Sequence, residues 1–242
     1  MRRGLPPSAL GLSVCLPAYN EESNLAAMVA DVVNTMTPRF AALEVIVVND
    51  GSTDRTAGVL AELEGQYPCV RSIHHERNLG YGAAVHAALS AAAQDLLLAT
   101  DSDRQFALAD IDRFTPLMAA YDVVIGYREH RRDPRARVAL GTAWTALSNR
   151  LFGYLARDVN CAFKLVWRDV FQSVGPRIRA RGGTFSAEWL ARTRGARFGI
   201  AEVPVAHYPR LAGTPTGARP LVVARAVLEL LRLRLEVSRF GV

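Results

Sequence analysis

The first 125 residues alternate short apolar runs with segments of helical spacing, and this alternation constrains the fold more than any other feature. Residues 43–48 are rich in β-branched side chains, which is typical of a strand buried on both faces. The alternation predicts an α/β fold with a parallel sheet flanked by helices. We expect strands at residues 12–16, 43–48, 70–74, 95–100 and 122–126, and helices at 21–36, 54–64 and 82–93.

The second half of the chain is less regular. We expect helices at residues 138–156 and 186–194 and strands at 162–166, at the edge of the sheet, and 198–205. A loop rich in Pro and Gly follows at 209–220, and Pro220 suits the first turn of a final helix. The predicted organisation is a tail at 1–9, one domain at 10–210, and a loop with an amphipathic helix at 211–242.

The charge is concentrated in two basic segments. The chain has 29 Lys and Arg against 23 Asp and Glu, a formal net charge of +6. Residues 128–137 and 219–242 each hold five Arg against two acidic residues. These segments indicate anionic partners. Nucleic acid is not expected, because only Tyr127 and Trp144 place aromatic rings near the basic residues.

The cysteines and the termini indicate a cytoplasmic protein. Three cysteines without a Cys-x-x-Cys pair argue against a disulfide framework or a zinc site. Arg2 and Arg3 before an apolar run imitate a signal peptide, but prolines at 6, 7 and 17 interrupt that run. Charged residues interrupt the apolar C-terminal stretch, so we expect no membrane span there.

Three polar motifs follow predicted strands, at residues 17–22, 49–54 and 101–105. Ligands bind beyond the carboxyl ends of strands in a parallel sheet, so these motifs are candidate sites. An ordinary turn or helix cap is the alternative for the first two, and a solvated acidic turn for the third.

Each motif suggests a different contact. In the first, Tyr19 offers a packing surface for a planar ring, with amide and carboxylate groups for the ring edges. In the second, Asp50 offers a hydrogen bond to a base or ribose, and Gly51 permits close approach of the backbone. In the third, Asp101 and Asp103 converge on one cation if the chain bends, and such oxygen ligands suit Mg²⁺ or Mn²⁺.

Together these motifs resemble those of glycosyltransferase family 2, the inverting enzymes of the GT-A fold. The resemblance is carried over residues 10–210 by the segments LSVCLPAYNEESNL, EVIVVNDGSTDRT, ERNLGYGAAVHAAL and LLLATDSDRQF. Within the family the chain is most similar to the branch that makes polyprenyl-phosphate sugars, which includes dolichyl-phosphate mannose synthase. Pointers to this branch are the segments at 126–128, 160–164, 185–188 and 202–205 and the following Arg210.

The resemblance implies roles for individual residues. It implies that the nucleoside is held by Pro17, Tyr19, Asn20, Glu21 and Asp50. It implies that Mg²⁺ or Mn²⁺ and the diphosphate are held by Asp101, Asp103 and Gln105, with Asp103, Gln105 and Arg128 as the catalytic residues. Phosphate groups of donor or acceptor are expected at Arg128 and Arg210, with Arg137 as a second arginine from the 128–137 segment.

The implied reaction is metal-dependent transfer of a sugar from a GDP- or UDP-linked donor to a polyprenyl phosphate. One alternative is a glycan hydroxyl acceptor, which needs a general base, and Glu188 is the candidate. Another is a sugar nucleotidyltransferase, which would carry a Gly-rich basic loop after the first strand. The chain departs from the family pattern at Arg104, where small residues are usual, and at 210–216, where an expected Lys is absent.

The final helix is predicted to present an apolar surface to a partner. At about 100° per residue, one polar stripe is formed by Arg225, Glu229, Arg232, Glu236 and Arg239, and apolar residues cover most of the rest. This apolar surface packs on the domain or on a second copy in a homodimer, or it lies in lipid headgroups, where Arg234 would reach phosphate. The lipid acceptor favours a peripheral position of residues 220–240 on the inner face of the membrane.

Overall fold

Seven strands form one sheet in the computed structural model, which describes residues 3–129, 134–209 and 220–239. The strand order is β3-β2-β1-β4-β6-β5-β7, and β6 alone among these strands is antiparallel to its neighbours. The prediction of an α/β fold with a mostly parallel sheet is confirmed. The strands are β1 (Gly11–Ala18), β2 (Ala42–Asn49), β3 (Val70–His74), β4 (Leu96–Ala99), β5 (Val123–Arg128), β6 (Lys164–Trp167) and β7 (Ile200–Val205).

Eight α-helices connect and flank the strands within the described ranges. They are α1 (Leu25–Met36), α2 (Thr56–Gln66), α3 (Tyr81–Ala91), α4 (Ile111–Phe114), α5 (Arg135–Phe152), α6 (Arg168–Val174), α7 (Phe185–Gly195) and α8 (Pro220–Arg239). Two helices differ in extent from their predictions. The first begins at 25 and not at 21, because the N–H of Glu21 donates to Thr56 Oγ1 and holds that turn outside the helix. Helix α5 ends before Gly153, whose φ of +77° terminates it.

Strand β6 is not at the sheet edge, where the sequence placed it. It pairs with β4 on one side and β5 on the other, and all four of its residues are buried. A lysine inside such a strand is stable only if its ammonium group is solvated by the protein. Lys164 is 1% exposed, and its Nζ donates to the carbonyl oxygens of Val159 and Cys161. Burial lowers the pKa of Lys164.

The parallel strands place the predicted motifs at one edge of the sheet. Strands β1, β2, β4 and β5 run in the same direction across the layer, so their carboxyl ends meet there. The main chain already joins neighbouring motifs, because the N–H of Asp50 donates to Ala18 O at 2.8 Å.

The three cysteines are free thiols, and Cys15 and Cys161 are buried. No helix in the described parts of the chain is long and apolar enough to cross a membrane.

Candidate functional site

Hydrogen bonds join the three polar motifs into one surface. The N–H of Asn20 donates to Ser52 Oγ at 2.9 Å, which ties the first motif to the second. Ser102 Oγ donates to Pro17 O at 2.8 Å, which ties the third motif to the first. The structure therefore brings together the motifs that the sequence singled out separately.

In the first motif, the ring of Tyr19 is exposed and its polar neighbours shape the loop. Tyr19 is 37% exposed. Asn20 has a φ of +54°, and its Oδ1 accepts the N–H of Thr53 at 2.8 Å. Glu21 is buried, and its Oε2 accepts a bond from Asn24 Nδ2 at 2.6 Å. Asn20 thus has a role in the turn, and the nucleoside contacts of Pro17, Tyr19, Asn20 and Glu21 stay predictions.

Asp50 fixes the loop at residues 75–80 against the end of β2. Its Oδ1 accepts bonds from His75 Nδ1–H at 2.7 Å and the N–H of Leu79 at 2.9 Å, and its Oδ2 accepts the N–H of Gly80 at 2.8 Å. Gly51, with φ +67°, lets this loop cross, because a Cβ there would lie 2.3 Å from the carbonyl carbon of Arg77. Sequence reasoning missed this role because the partners lie 25–30 residues away. The nucleoside contact of Asp50 stays a prediction.

Tyr81 is a site residue that the sequence analysis did not single out. It begins α3 directly after Gly80, and its hydroxyl donates to the carboxylate of Asp101. Burial, reinforced by the charge of Asp101, raises the pKa of Tyr81 well above its ordinary value. The pair of glycines around it, Gly80 and Gly82, was the available signal. They let the chain pack closely, because a Cβ on Gly82 would lie 2.5 Å from Phe185 Cβ.

Asp101 and Asp103 form the candidate metal site. Burial, and next the charge of Asp103, raise the pKa of Asp101 to about 7, although the Tyr81 hydroxyl and the charges of Arg128 and Lys164 oppose the shift. Asp103 is buried and Asp101 is half-buried, so two carboxylates repel each other where water screens them only partly. Such a pair of carboxylates favours the binding of a cation, which relieves the repulsion between them.

Gln105 completes the third motif from inside the fold. Its main-chain N–H donates to Asp103 Oδ1 at 3.2 Å, and its Nε2 donates to Tyr208 O at 2.9 Å. In the described parts of the chain there is no group of three His, Cys, Asp or Glu side chains that could hold a metal. Two carboxylates and an amide offer oxygen atoms alone, and this donor chemistry fits Mg²⁺ or Mn²⁺.

Arg104, the departure from the family pattern, takes a left-handed conformation with φ +59°. Its Nε and Nη2 both lie 2.9 Å from Oδ2 of Asp31 on α1. The turn therefore accommodates the large side chain of Arg104 and keeps the carboxylates of Asp101 and Asp103 before it.

The predicted phosphate-binding arginines have different surroundings. Arg128, at the end of β5, makes a bidentate ion pair with Asp158, with Nε–Oδ2 at 2.6 Å and Nη2–Oδ1 at 2.9 Å. No local pattern in the sequence points to Asp158 as the partner of Arg128. Arg137 lies half-buried in the first turn of α5. Arg210 lies outside the described residues, so its predicted contact with phosphate is not placed.

Glu188, the candidate general base, is 1% exposed and holds the loop before α7. Its Oε2 accepts the N–H groups of Arg179 at 3.0 Å and Ala180 at 2.7 Å. Its Oε1 accepts bonds from Arg192 Nε at 2.7 Å and Nη2 at 2.6 Å. Both oxygens of this carboxylate therefore accept hydrogen bonds. Such an arrangement is that of a structural acidic residue in the first turn of α7, and not that of a general base.

Comparison with known proteins supports the resemblance. The model of the family described as Glycosyl transferase family 2 matches residues 13–175. A dolichyl-phosphate beta-glucosyltransferase of Trichomonas vaginalis is 28% identical over 218 residues, covering 82% of this chain and 64% of that protein. A dodecaprenyl-phosphate galacturonate synthase of Rhizobium johnstonii is 28% identical over 213 residues, covering 86% of this chain and 62% of that protein.

A solved structure shares the fold. Glucosyl-3-phosphoglycerate synthase of Mycobacterium tuberculosis, in complex with Mn²⁺, UDP-glucose and phosphoglyceric acid, superposes with a TM-score of 0.63 at 20% identity, covering 93% of this chain and 80% of that one. The predicted resemblance to the polyprenyl-phosphate branch is confirmed by the curated relatives. Because the family model matches most of the sequence, the chain belongs to glycosyl transferase family 2.

Proposed function

We propose that this protein transfers a sugar, with inversion, from a nucleotide-diphosphate sugar to a polyprenyl phosphate with the help of a divalent cation. The observation that carries the proposal is the pair of carboxylates formed by the half-buried Asp101 and the buried Asp103, near the Arg128 guanidinium at the edge where the polar motifs meet. Two of the similar proteins are named for sugar transfer to polyprenyl phosphates, which supports the same class of acceptor.

The donor would lie across the joined motifs. The exposed ring of Tyr19 offers a stacking surface for the base, and the loop fixed by Asp50 lies beside it. The diphosphate would then lie near Asp101 and Asp103, which would hold Mg²⁺ or Mn²⁺. When bound, this ion stabilises the negative charge that develops on the leaving diphosphate. UDP-linked sugars are the first donors to test, with GDP-linked sugars beside them, because a protein of the same fold binds UDP-glucose.

The acceptor is a phosphate and not a hydroxyl in this proposal. A hydroxyl acceptor must lose its proton to a general base, whereas a phosphate monoester is already anionic near neutral pH. Glu188 holds backbone N–H groups and Arg192, and Asp158 holds Arg128. An anionic acceptor needs cations for positioning; the charge of Arg128 acts on Asp101 at this site, and Arg137 stays the predicted second arginine.

Helix α8 would bring the site to a lipid surface. Among the leucines of α8 whose side chains the structure describes, Leu230 and Leu233 are buried, whereas Leu228, Leu231 and Leu235 are 55%, 44% and 65% exposed. Thr184 Oγ1 donates to Glu229 Oε2 at 2.6 Å and joins the helix to the loop before α7. We propose that the outward leucines contact lipid headgroups at the inner face of the membrane, where a polyprenyl phosphate is anchored.

The transfer reaction is tested with labelled UDP- and GDP-sugars, Mn²⁺ and three acceptors: undecaprenyl phosphate, undecaprenol and a soluble glycan. The expected product is a sugar linked to undecaprenyl phosphate, formed together with a nucleoside diphosphate. Transfer to the glycan alone would overturn the phosphate acceptor. Formation of a nucleoside triphosphate and a sugar 1-phosphate from the nucleotide sugar, on addition of pyrophosphate, would indicate a nucleotidyltransferase.

The membrane contact is tested separately by flotation with phosphatidylglycerol vesicles. Replacing Leu228, Leu231 and Leu235 by Gln leaves the buried leucines in place and should abolish flotation, with no change in the melting temperature. Equal flotation of both proteins would contradict the proposal. A wild-type dimer in solution that the triple variant loses would assign the same face to a second copy.

A further inference from the structure

Arg128 is held by the carboxylate of Asp158 with matched geometry. Nε and Nη2 of Arg128 face Oδ2 and Oδ1 of Asp158 at 2.6 and 2.9 Å, and both side chains are 11% exposed. A bidentate pair fixes the plane of a guanidinium group as well as its position. Screening by water is weak at this depth, so the pair strongly restricts where the Arg128 charge lies.

The position of Asp158 is set by the scaffold and not by Arg128. The segment before it is anchored by Asn149, whose Oδ1 accepts the N–H of Leu155 at 2.9 Å. Glu202 on β7 anchors the same segment, since its carboxylate accepts the Tyr154 hydroxyl at 2.6 Å and the N–H of Arg157 at 2.7 Å. Asp158 is therefore presented to Arg128 by a segment that other contacts keep in place.

Arg128 also acts electrostatically on the candidate metal site. Its charge lowers the pKa of Asp101, so the two groups lie close enough to interact. Asp101 is therefore a carboxylate with which a guanidinium released from Asp158 can pair. The guanidinium would then occupy the region where the cation and the diphosphate belong in the proposed function.

We infer that Asp158 is a positioning residue that acts through Arg128. It holds the guanidinium in the orientation that meets the acceptor phosphate and keeps it away from Asp101 and Asp103. The inference rests on the proposed function for the identity of the acceptor. The other part of the inference, that Asp158 determines where the charge of Arg128 lies, does not depend on the acceptor.

The test compares Asp158→Asn with Glu202→Gln. Asp158 lies in the segment at 154–158, and Glu202 contacts that segment, so each variant removes a carboxylate there. Of these two carboxylates, it is that of Asp158 that contacts Arg128. We expect Asp158→Asn to raise KM for undecaprenyl phosphate about tenfold or more, the effect of losing a charge-assisted hydrogen bond, with KM for the donor within about twofold. A Gln at position 202 still accepts the N–H of Arg157 and can donate to the Tyr154 oxygen, so the segment stays anchored and Glu202→Gln should leave both KM values within about twofold. Equal effects of the two variants, or a lower KM for the acceptor in Asp158→Asn, would overturn the inference.

A double-variant cycle covers the case in which Asp158→Asn alone is unstable. Arg128→Gln and Arg128→Gln/Asp158→Asn both lack the guanidinium, and the double variant has no uncompensated buried charge. If Asp158 acts through Arg128, these two variants have the same KM for the acceptor. A markedly higher KM in the double variant would show that Asp158 acts by itself, contrary to the inference.

Failure of the proposed function is recognised separately, as the absence of transfer to undecaprenyl phosphate by the wild-type protein. The inference is then decided by Mn²⁺ binding, measured from the paramagnetic resonance signal of free Mn²⁺. Asp158→Asn is expected to weaken Mn²⁺ binding by freeing Arg128, and the double variant to restore it. Unchanged binding in Asp158→Asn would overturn the inference.

Discussion

Replacing Glu188 by Gln should lower the stability of the protein and leave its chemistry nearly intact. Glu188 is buried, and its two oxygens accept two backbone N–H bonds and two bonds from Arg192. The Gln amide has one accepting oxygen, so it satisfies either the loop or Arg192. Breaking a buried, hydrogen-bonded ion pair costs about 3 kcal/mol. For a domain of this size, that corresponds to a fall in melting temperature of roughly 6–12 °C.

The assay measures stability and turnover on the same samples. Urea denaturation gives the free energy of unfolding, and transfer to undecaprenyl phosphate is measured well below the melting temperature. Glu64→Gln is the matched control, because Glu64 also accepts a backbone N–H, that of Ser72, but at an exposed position. We expect kcat of Glu188→Gln within about threefold of wild type. A kcat loss of about 10² or more, the contribution of a general base, at unchanged stability would refute the reasoning.

Three further predictions concern the donor side of the site. Asp103→Asn should reduce transfer about 10³-fold with a small change in melting temperature, and activity within tenfold of wild type would remove Asp103 from the site. Because the pKa of Asp101 is raised to about 7, protons compete with a cation below that pH and the group is ionised above it. Mn²⁺ should therefore raise the melting temperature more at pH 8 than at pH 5.5, and equal shifts would contradict this. Gly51→Ala should destabilise the protein by about 2 kcal/mol or more, because φ is +67° and its Cβ would strike the backbone of the crossing loop. Gly58→Ala on α2, where a Cβ meets nothing within 4 Å, should be neutral or stabilising in the same urea denaturation.

The sequence predicted the parts of the fold that local patterns determine. Buried parallel strands appear as continuous apolar runs, and the polar residues that follow them mark one edge of the sheet. For this reason the positions of the motifs at 17–22, 49–54 and 101–105 could be predicted. Strand β6 could not be placed, because its short apolar run does not show with which strands it pairs, and the solvation of Lys164 by Val159 O and Cys161 O arises only in the folded chain.

Partnerships between side chains were harder to predict than the motifs. Asp50 was expected to contact a ligand, but in the structure it accepts three bonds from residues 75–80. Asp158 carries no local pattern, and only the packing of its segment beside β5 brings it to Arg128. A sequence reports which residue types follow a strand, whereas the choice of hydrogen-bond partner depends on contacts distant in the chain.

The internal position of β6 has a consequence for synthesis of the chain. Strands β3, β2, β1 and β4 can pair as soon as residue 99 has emerged, but β4 then presents an open edge until residues 164–167 arrive. Strand β5 has no partner in that interval, because it pairs with β6 and β7. An unpaired, fully apolar edge of this kind is a template for aggregation. Nascent chains that stall between these two points should therefore be the species that chaperones bind, and fragments that end before residue 164 should be insoluble.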